Sequence, residues 1–185
     1  MSTAQQQAID TRRASLREAF DLCRRYAAPG EPLWSTRPAP EAWSVREILE
    51  HVTLTNHYLL ILVDKLSQRC RKRLARGDQP PTKASDVTAL ERISQREFAW
   101  PHPEHMTPSG TLAPEDLDRQ LCADRDRCLA LLDEFPGGGG ALHTIRMSVV
   151  DARLDLYQFL AVIDLHARRH LRQLERNRAS LGPPA

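Results

Sequence analysis

Long apolar runs are missing from this chain. No stretch approaches the roughly 20 residues a helix needs to cross a bilayer, and the nearest candidate is the short "YLLILV" at 58–63. A membrane-spanning protein is excluded as an expectation. An excess of one charge is missing too: 26 lysines and arginines face 24 acidic residues, for a formal net charge of +2. Such a balance gives no broad basic field toward nucleic acid or anionic lipid, and no basic face is interleaved with aromatics. The four cysteines, Cys23, Cys70, Cys122 and Cys128, form no CxxC pair, and the N-terminal "MSTAQQQAIDTRR" lacks the apolar core of a secretion signal. These absences lead us to expect a reduced, cytoplasmic protein. Strand signals are nearly absent as well, which points to an all-α fold.

What is present is helical periodicity. With 185 residues and 41% apolar content, the chain can bury one sizeable core, so residues 1–185 read as a single domain. Four helical segments are separated by stretches that hold most of the prolines and glycines. The first is predicted from Thr3 to Tyr26, with Ile9, Leu16, Phe20 and Cys23 along one stripe, ending before Gly30 and Pro32. The second opens at "WSVREILEH". Ser44 is the N-cap there, Glu47 completes a capping box, and Trp43 and Ile48 stand at the staple positions. It continues to about Arg76. A polar connection follows with room for a short helical turn, and then a proline-stiffened crossing, "AWPHPEHMTPSG". The third helix fits Pro114 to Glu134, with proline in its first turn and Glu115 and Asp116 beside the positive helix end. "PGGGG" at 136–140 terminates it and reads as a hinge or slack loop. The fourth is predicted from about Val150 to Leu181, closed by Gly182 and two prolines.

The fourth helix carries "AVIDLHARRHLRQLER" at 161–176, with two histidines four residues apart. On a helical wheel they fall on a seam of Ala152, Leu156, Phe159, Ile163, His166, His170 and Gln173, while Arg168, Arg169 and Arg172 lie off it, toward solvent or a pocket rim. The histidines therefore point into the core. A buried imidazole without a partner costs on the order of 1–3 kcal/mol, so each needs a hydrogen bond or a ligand. On the second helix His51 lies within the stripe of Ile48, Leu54, Tyr58, Leu62 and Leu66, whereas His57 is turned away. Three inward histidines on two helices form the set used by zinc, nickel or iron sites with open coordination positions. Three separately hydrogen-bonded core histidines are the alternative.

"WSVREILEHV" at 43–52 resembles the second-helix signature of the DinB-like (DinB/YfiT superfamily) proteins, in which a Trp-Ser cap opens a helix with an early histidine. "HARRHLRQL" at 166–174 resembles their HxxxHxxQ signature. The resemblance covers about residues 10–178, including the proline-bearing crossing. It implies a four-helix bundle with long crossover connections and a divalent metal ion held by His51, His166 and His170. The glycine-rich 136–149 loop departs from the family pattern by its length.

Several residues carry two readings. Gln173 either orients a ligating imidazole or ends the seam as a polar residue. Asp124 stands on the apolar stripe of the third helix and serves either as a group near the metal or as the partner of an inward arginine. Tyr58 either lines the pocket or is a core tyrosine needing one hydrogen bond. Glu47 and Glu50 read as cap and surface residues. His102 and His105 form an HxxH that nothing holds in shape, and Cys122 and Cys128 read as apolar filler.

Three neutral imidazoles leave an ion's charge uncompensated, which suits activation of water or of a thiol. The resemblance implies a metal-dependent hydrolase or a transferase that uses a low-molecular-weight thiol, acting on a small-molecule substrate. A non-catalytic, stress-related interaction bundle with a structural metal is the rival. A homodimer is expected from the resemblance and from Leu59, Ile61 and Val63, which spread apolar surface around the second helix.

Overall fold

A computed structural model describes residues 3–28, 30–31, 33–98, 100–101 and 103–181. Its helices are α1 (Thr3–Tyr26), α2 (Val45–Ala75), α3 (Pro114–Glu134) and α4 (Leu156–Leu181). The bounds of α1 and α3 match those predicted. At α2 the capping box is formed as expected. The Ser44 side chain accepts from the Glu47 backbone N–H, and the Glu47 carboxylate accepts from the Ser44 backbone N–H at 2.8 Å. Arg37 pairs with the same carboxylate and ties the preceding loop to the helix start. Pro32, His102 and Gly182, to which the sequence reading gave roles in loops and caps, lie outside the described residues.

Cross-helix pairs fix the arrangement. Arg24 pairs with Asp118 and Arg13 with Asp133, so α1 and α3 run antiparallel. Arg12 pairs with Asp164 and Arg178 with Glu31 just beyond α1, so α1 and α4 run parallel. Asn56 bonds Asp124 and Arg71 bonds Glu134, so α2 and α3 run parallel. Asn177 near the end of α4 bonds the carbonyl of Trp43 just before α2, making that pair antiparallel. Each helix packs against two neighbours, in the cyclic order α1, α3, α2, α4. The all-α four-helix bundle is as expected, and its topology explains the long link between α2 and α3. Parallel neighbours need a connection that returns the full length of the bundle.

The core runs down the axis through Leu16 and Phe20 of α1, Ile48, Leu49 and Leu66 of α2, Leu117 and Leu131 of α3, and Phe159 and Ile163 of α4, all fully buried. The stripe on α2 is rotated slightly from the predicted one. Leu54, Tyr58 and Leu62 are only half-buried, while Val52, Leu59 and Val63 face the core. Leu59 and Val63 are thus absorbed inside the monomer, and of the three residues expected to extend apolar surface only Ile61 is exposed.

Two corrections concern the segment before α4. Residues 145–154 form a small antiparallel hairpin, β1 (Ile145–Met147) and β2 (Ala152–Leu154), so α4 begins at Leu156 and Ala152 belongs to a strand. Asp155 starts the helix, its carboxylate accepting from the Gln158 backbone N–H at 2.9 Å. The glycine run is not slack either. Gly138, Gly139 and Gly140 are buried, and Gly138 has φ +82° with the Gln5 side chain where a Cβ would stand. The run is glycine because helix side chains close over its backbone.

Glu50, expected at the surface, is 4% exposed. Its carboxylate accepts from the Ser109 N–H (2.9 Å), the Ser109 hydroxyl (2.7 Å) and the Gly110 N–H (2.8 Å). This clamp lays the end of the crossover against α2, one residue before His51.

Candidate metal centre

His51 near the start of α2 and His166 and His170 around the middle of α4 come together because those two helices are antiparallel neighbours. All three are buried, at 5%, 3% and 7% exposure. Their rings lie 4.5–5.3 Å apart by centroid, and one nitrogen from each can be chosen so that all lie within 4.8 Å of one another. No other group of three or more histidine, cysteine or carboxylate side chains among the described residues is arranged to hold a metal ion. His57 is exposed, as its helical phase predicts.

The hydrogen bonds select which nitrogens face inward. His51 Nδ1 is 2.9 Å from the Met106 carbonyl, which can only accept, so this nitrogen carries the proton and Nε2 is left as the lone-pair donor. His170 Nδ1 is 3.0 Å from Gln173 Oε1 and donates to it, leaving its Nε2 unprotonated. His170 Nε2 and His166 Nε2 stand 3.1 Å apart. With metal–nitrogen bonds of about 2.0–2.1 Å, two ligands of one ion lie between about 2.9 Å (right angle) and about 3.4 Å (tetrahedral) apart, and the observed separation falls inside that window. His166 Nδ1 is buried without a hydrogen-bond partner. An imidazole held by no hydrogen bond at that nitrogen is held by packing, here against the ring of Trp100 at 5.0 Å.

The two donors on α4 fit a divalent ion in protonation as well. Burial, together with the nearby imidazoles His170 and His51, holds His166 well below the usual histidine range. Burial and the proximity of His51 push His170 down to about 3, against a smaller opposing effect of Gln173. Both rings are neutral at physiological pH, the state a metal requires.

A cavity of about 200 Å³ opens onto the rings. Its walls are Trp43, Thr55, Trp100, Met106, Arg169 and Gln173 in addition to the histidines. Gln173 is thus where the sequence placed it, beside a candidate ligand. Tyr58 is not in this wall: its ring is tilted against that of His105 in the crossover, with centroids 4.2 Å apart. That contact also gives His105 a packing role. Arg169 stands at the pocket rim, one of the two places its helical phase allowed. Trp43, Trp100 and Met106 were not foreseen as wall residues: the sequence reading put Trp43 at a staple position and Trp100 in a loop, and a backbone carbonyl such as that of Met106 has no sequence signature.

Asp124 does not reach the centre, and its partner is not an arginine. It accepts a hydrogen bond from the Asn56 amide at 3.1 Å, and burial pushes its carboxyl up to about 6 against the smaller opposing effect of that bond. A folded pKa above the unfolded one means the fold binds the proton more tightly. Stability is therefore gained as pH falls through about 6 toward about 4 and is lacking at neutral pH. Asp124→Asn should stabilise the protein at about pH 8 by on the order of 1 kcal/mol, with the gain vanishing near pH 4. Urea unfolding of both proteins at the two pH values checks this. An equal effect at both would show that the carboxylate is not the cause.

The cysteines are all free, and Cys23 and Cys128 are fully buried, with burial raising both thiols, Cys23 to about 12. Cys128 is apolar filler, as expected, whereas Cys122, read the same way, is only half-buried. Among the described residues no helix is long and apolar enough to cross a membrane.

The fold and site together define a class: helical bundles with a histidine cluster, drawn from two antiparallel helices, that can hold a metal ion. The family model of the DinB superfamily matches residues 8–174, and the chain belongs to that superfamily. No curated protein and no solved structure matches the chain significantly.

Proposed function

We propose that the protein is a metal-dependent enzyme acting on a small molecule, either a hydrolase or a transferase that uses a low-molecular-weight thiol. His51, His166 and His170 are the proposed ligands, of zinc, nickel or iron. The observation that carries this reading is the composition of the cavity wall. Beyond the three imidazoles its described residues supply no carboxylate and no thiol, so a bound ion keeps coordination positions for an outside ligand. A divalent ion in a three-imidazole shell supplies Lewis acidity, which favours the deprotonated form of a water or thiol that reaches it.

The chain's own residues do the rest. The Met106 carbonyl and Gln173 fix the orientation and tautomer of His51 and His170, which keeps both Nε2 atoms directed at one point. The Trp43 ring, 4.9 Å from His51, and the Trp100 ring beside His166 narrow the water-filled space and strengthen electrostatic effects within it. Arg169 stands at the rim, held by the carbonyls of Gln95 and Arg96.

The test is spectroscopic. Cobalt-substituted protein should change its visible spectrum when 2-mercaptoethanol is added, because an open position accepts the thiolate. A structural ion, enclosed by protein ligands, would leave the spectrum unchanged, and that result would end the catalytic reading.

A further inference from the structure

Two stripes of α4 overlap. His166, Arg169, His170 and Gln173 line the histidine cavity, and Arg169, Arg172, Gln173 and Arg176 line a second, open groove of about 710 Å³, completed by Arg96 and Glu97 of the crossover. The two hollows share Arg169 and Gln173. About half of the arginines of this protein answer a carboxylate, as Arg24 does Asp118 and Arg71 does Glu134. The groove arginines do not: among the described residues none of Arg96, Arg169, Arg172 and Arg176 forms an ion pair.

Two of them are nevertheless fixed in place. Arg169 bonds the carbonyls of Gln95 and Arg96, and Arg172 bonds the Ser94 carbonyl at 2.7 Å and its hydroxyl at 3.1 Å. Carbonyl acceptors hold a guanidinium without neutralising it, so the positive charge stays available in a preset geometry. Among the residues that line the groove a single carboxylate, Glu97, faces four guanidinium groups, so the site is short of negative charge.

We propose that this groove binds the anionic group, a carboxylate or phosphate, of a small-molecule substrate or thiol whose reacting end lies in the histidine cavity. The inference rests on the reading of that cavity as an open metal site. Six residues separate His170 from Arg176, about 9 Å along the helix axis, which sets the span between reacting atom and anion. The groove volume lies within the roughly 300–1,000 Å³ of small-molecule sites. Insertion into a lipid surface has no support here, since the large exposed apolar residues among those described, Ile61 and Leu74, are both on α2.

The experiment uses the full chain and the double variant Arg96→Gln/Arg176→Gln, whose guanidinium groups hold no other element in place. Calorimetry with inorganic phosphate and with succinate reads the groove alone. Cobalt-loaded protein titrated with glutathione, a thiol bearing carboxylates, and with 2-mercaptoethanol, a neutral one, reads the connection to the cavity. Phosphate and succinate should bind, and at least roughly tenfold more weakly in the variant, which removes one or two charge-assisted contacts. Glutathione should bind more tightly than 2-mercaptoethanol, and the variant should lose that preference. Failure of phosphate and succinate to bind, or equal binding to both proteins, overturns the proposal. So does binding confined to an oligonucleotide or to phosphatidylglycerol vesicles. If 2-mercaptoethanol perturbs the cobalt spectrum while the groove stays inert, only the groove inference falls. If arginine-dependent phosphate binding persists and neither thiol perturbs the cobalt, the open-metal reading falls and the anion site stands.

Discussion

Replacing His170 with alanine is expected to reduce metal affinity more than about 100-fold, and His51→Ala and His166→Ala should do the same. Losing an outer hydrogen-bond partner of a ligand costs about 10–100-fold, and losing the ligand itself must cost more. Each histidine contributes one of three donors, so no variant retains a three-nitrogen set. Gln173→Leu is the graded case: the ring of His170 remains but loses the acceptor at 3.0 Å that sets its tautomer, so its loss should lie in the 10–100-fold range. His57→Ala should bind as the parent does, because its side chain is exposed. Equilibrium dialysis with elemental analysis reads all five, with circular dichroism confirming that the helices persist. Full metal occupancy in any one of the three ligand variants would remove that histidine from the site.

Asp164→Ala is expected to be the most destabilising single polar change, by about 3–5 kcal/mol, as for a buried charge pair deprived of one partner. Asp164 is 1% exposed on α4. Its carboxylate accepts from Arg12 at 2.8 Å, from the Ser15 hydroxyl at 2.6 Å and from Arg168 at 2.9 Å. Arg12 is itself mostly shielded, with 16% of its side chain exposed, so the deletion strands this α1 guanidinium against α4 with no other carboxylate partner among the described residues. Arg168 loses less, since Glu18 also holds it at 2.7 Å. Denaturant unfolding measures the difference, and Arg12→Met/Asp164→Leu separates the cause. If the stranded charge dominates, the double variant should recover much of the loss. A loss below about 1 kcal/mol for Asp164→Ala would show that the network is solvated like a surface ion pair.

How much of this was legible in the sequence follows from the range of each interaction. The start of α2 was read correctly at residue resolution because a capping box is written within four consecutive positions. The histidines were found because helical phase is local, and inward phase on two helices of a bundle brings side chains together. What escaped depends on distant partners. Glu50 looks like any helix-surface glutamate until Ser109 and Gly110 arrive from the crossover. Asp164 reads as half of an i, i+4 pair with Arg168 until α1 supplies Arg12 and Ser15. The hairpin at 145–154 has strands of three residues each, too short for an alternating pattern to register. The glycines at 138–140 suggested slack because composition reports backbone freedom, and only packing reveals that the freedom is used to fit under Gln5, Leu74 and Tyr157.

The antiparallel pairing of α2 with α4 has a consequence for the order in which the protein is made. An unfolded chain holds His166 and His170 as neighbours, yet His51 joins them only when the first and last thirds of the sequence have docked across the bundle. A dication meeting the nascent chain finds at most a two-nitrogen hook, whereas the finished bundle offers all three. Binding confined to the finished state would add RT ln(1 + [L]/Kd) to its stability, about 2.7 kcal/mol at a hundredfold excess over Kd. Cellular metal supply would then set how long each copy survives, through the fraction of molecules transiently open to proteolysis.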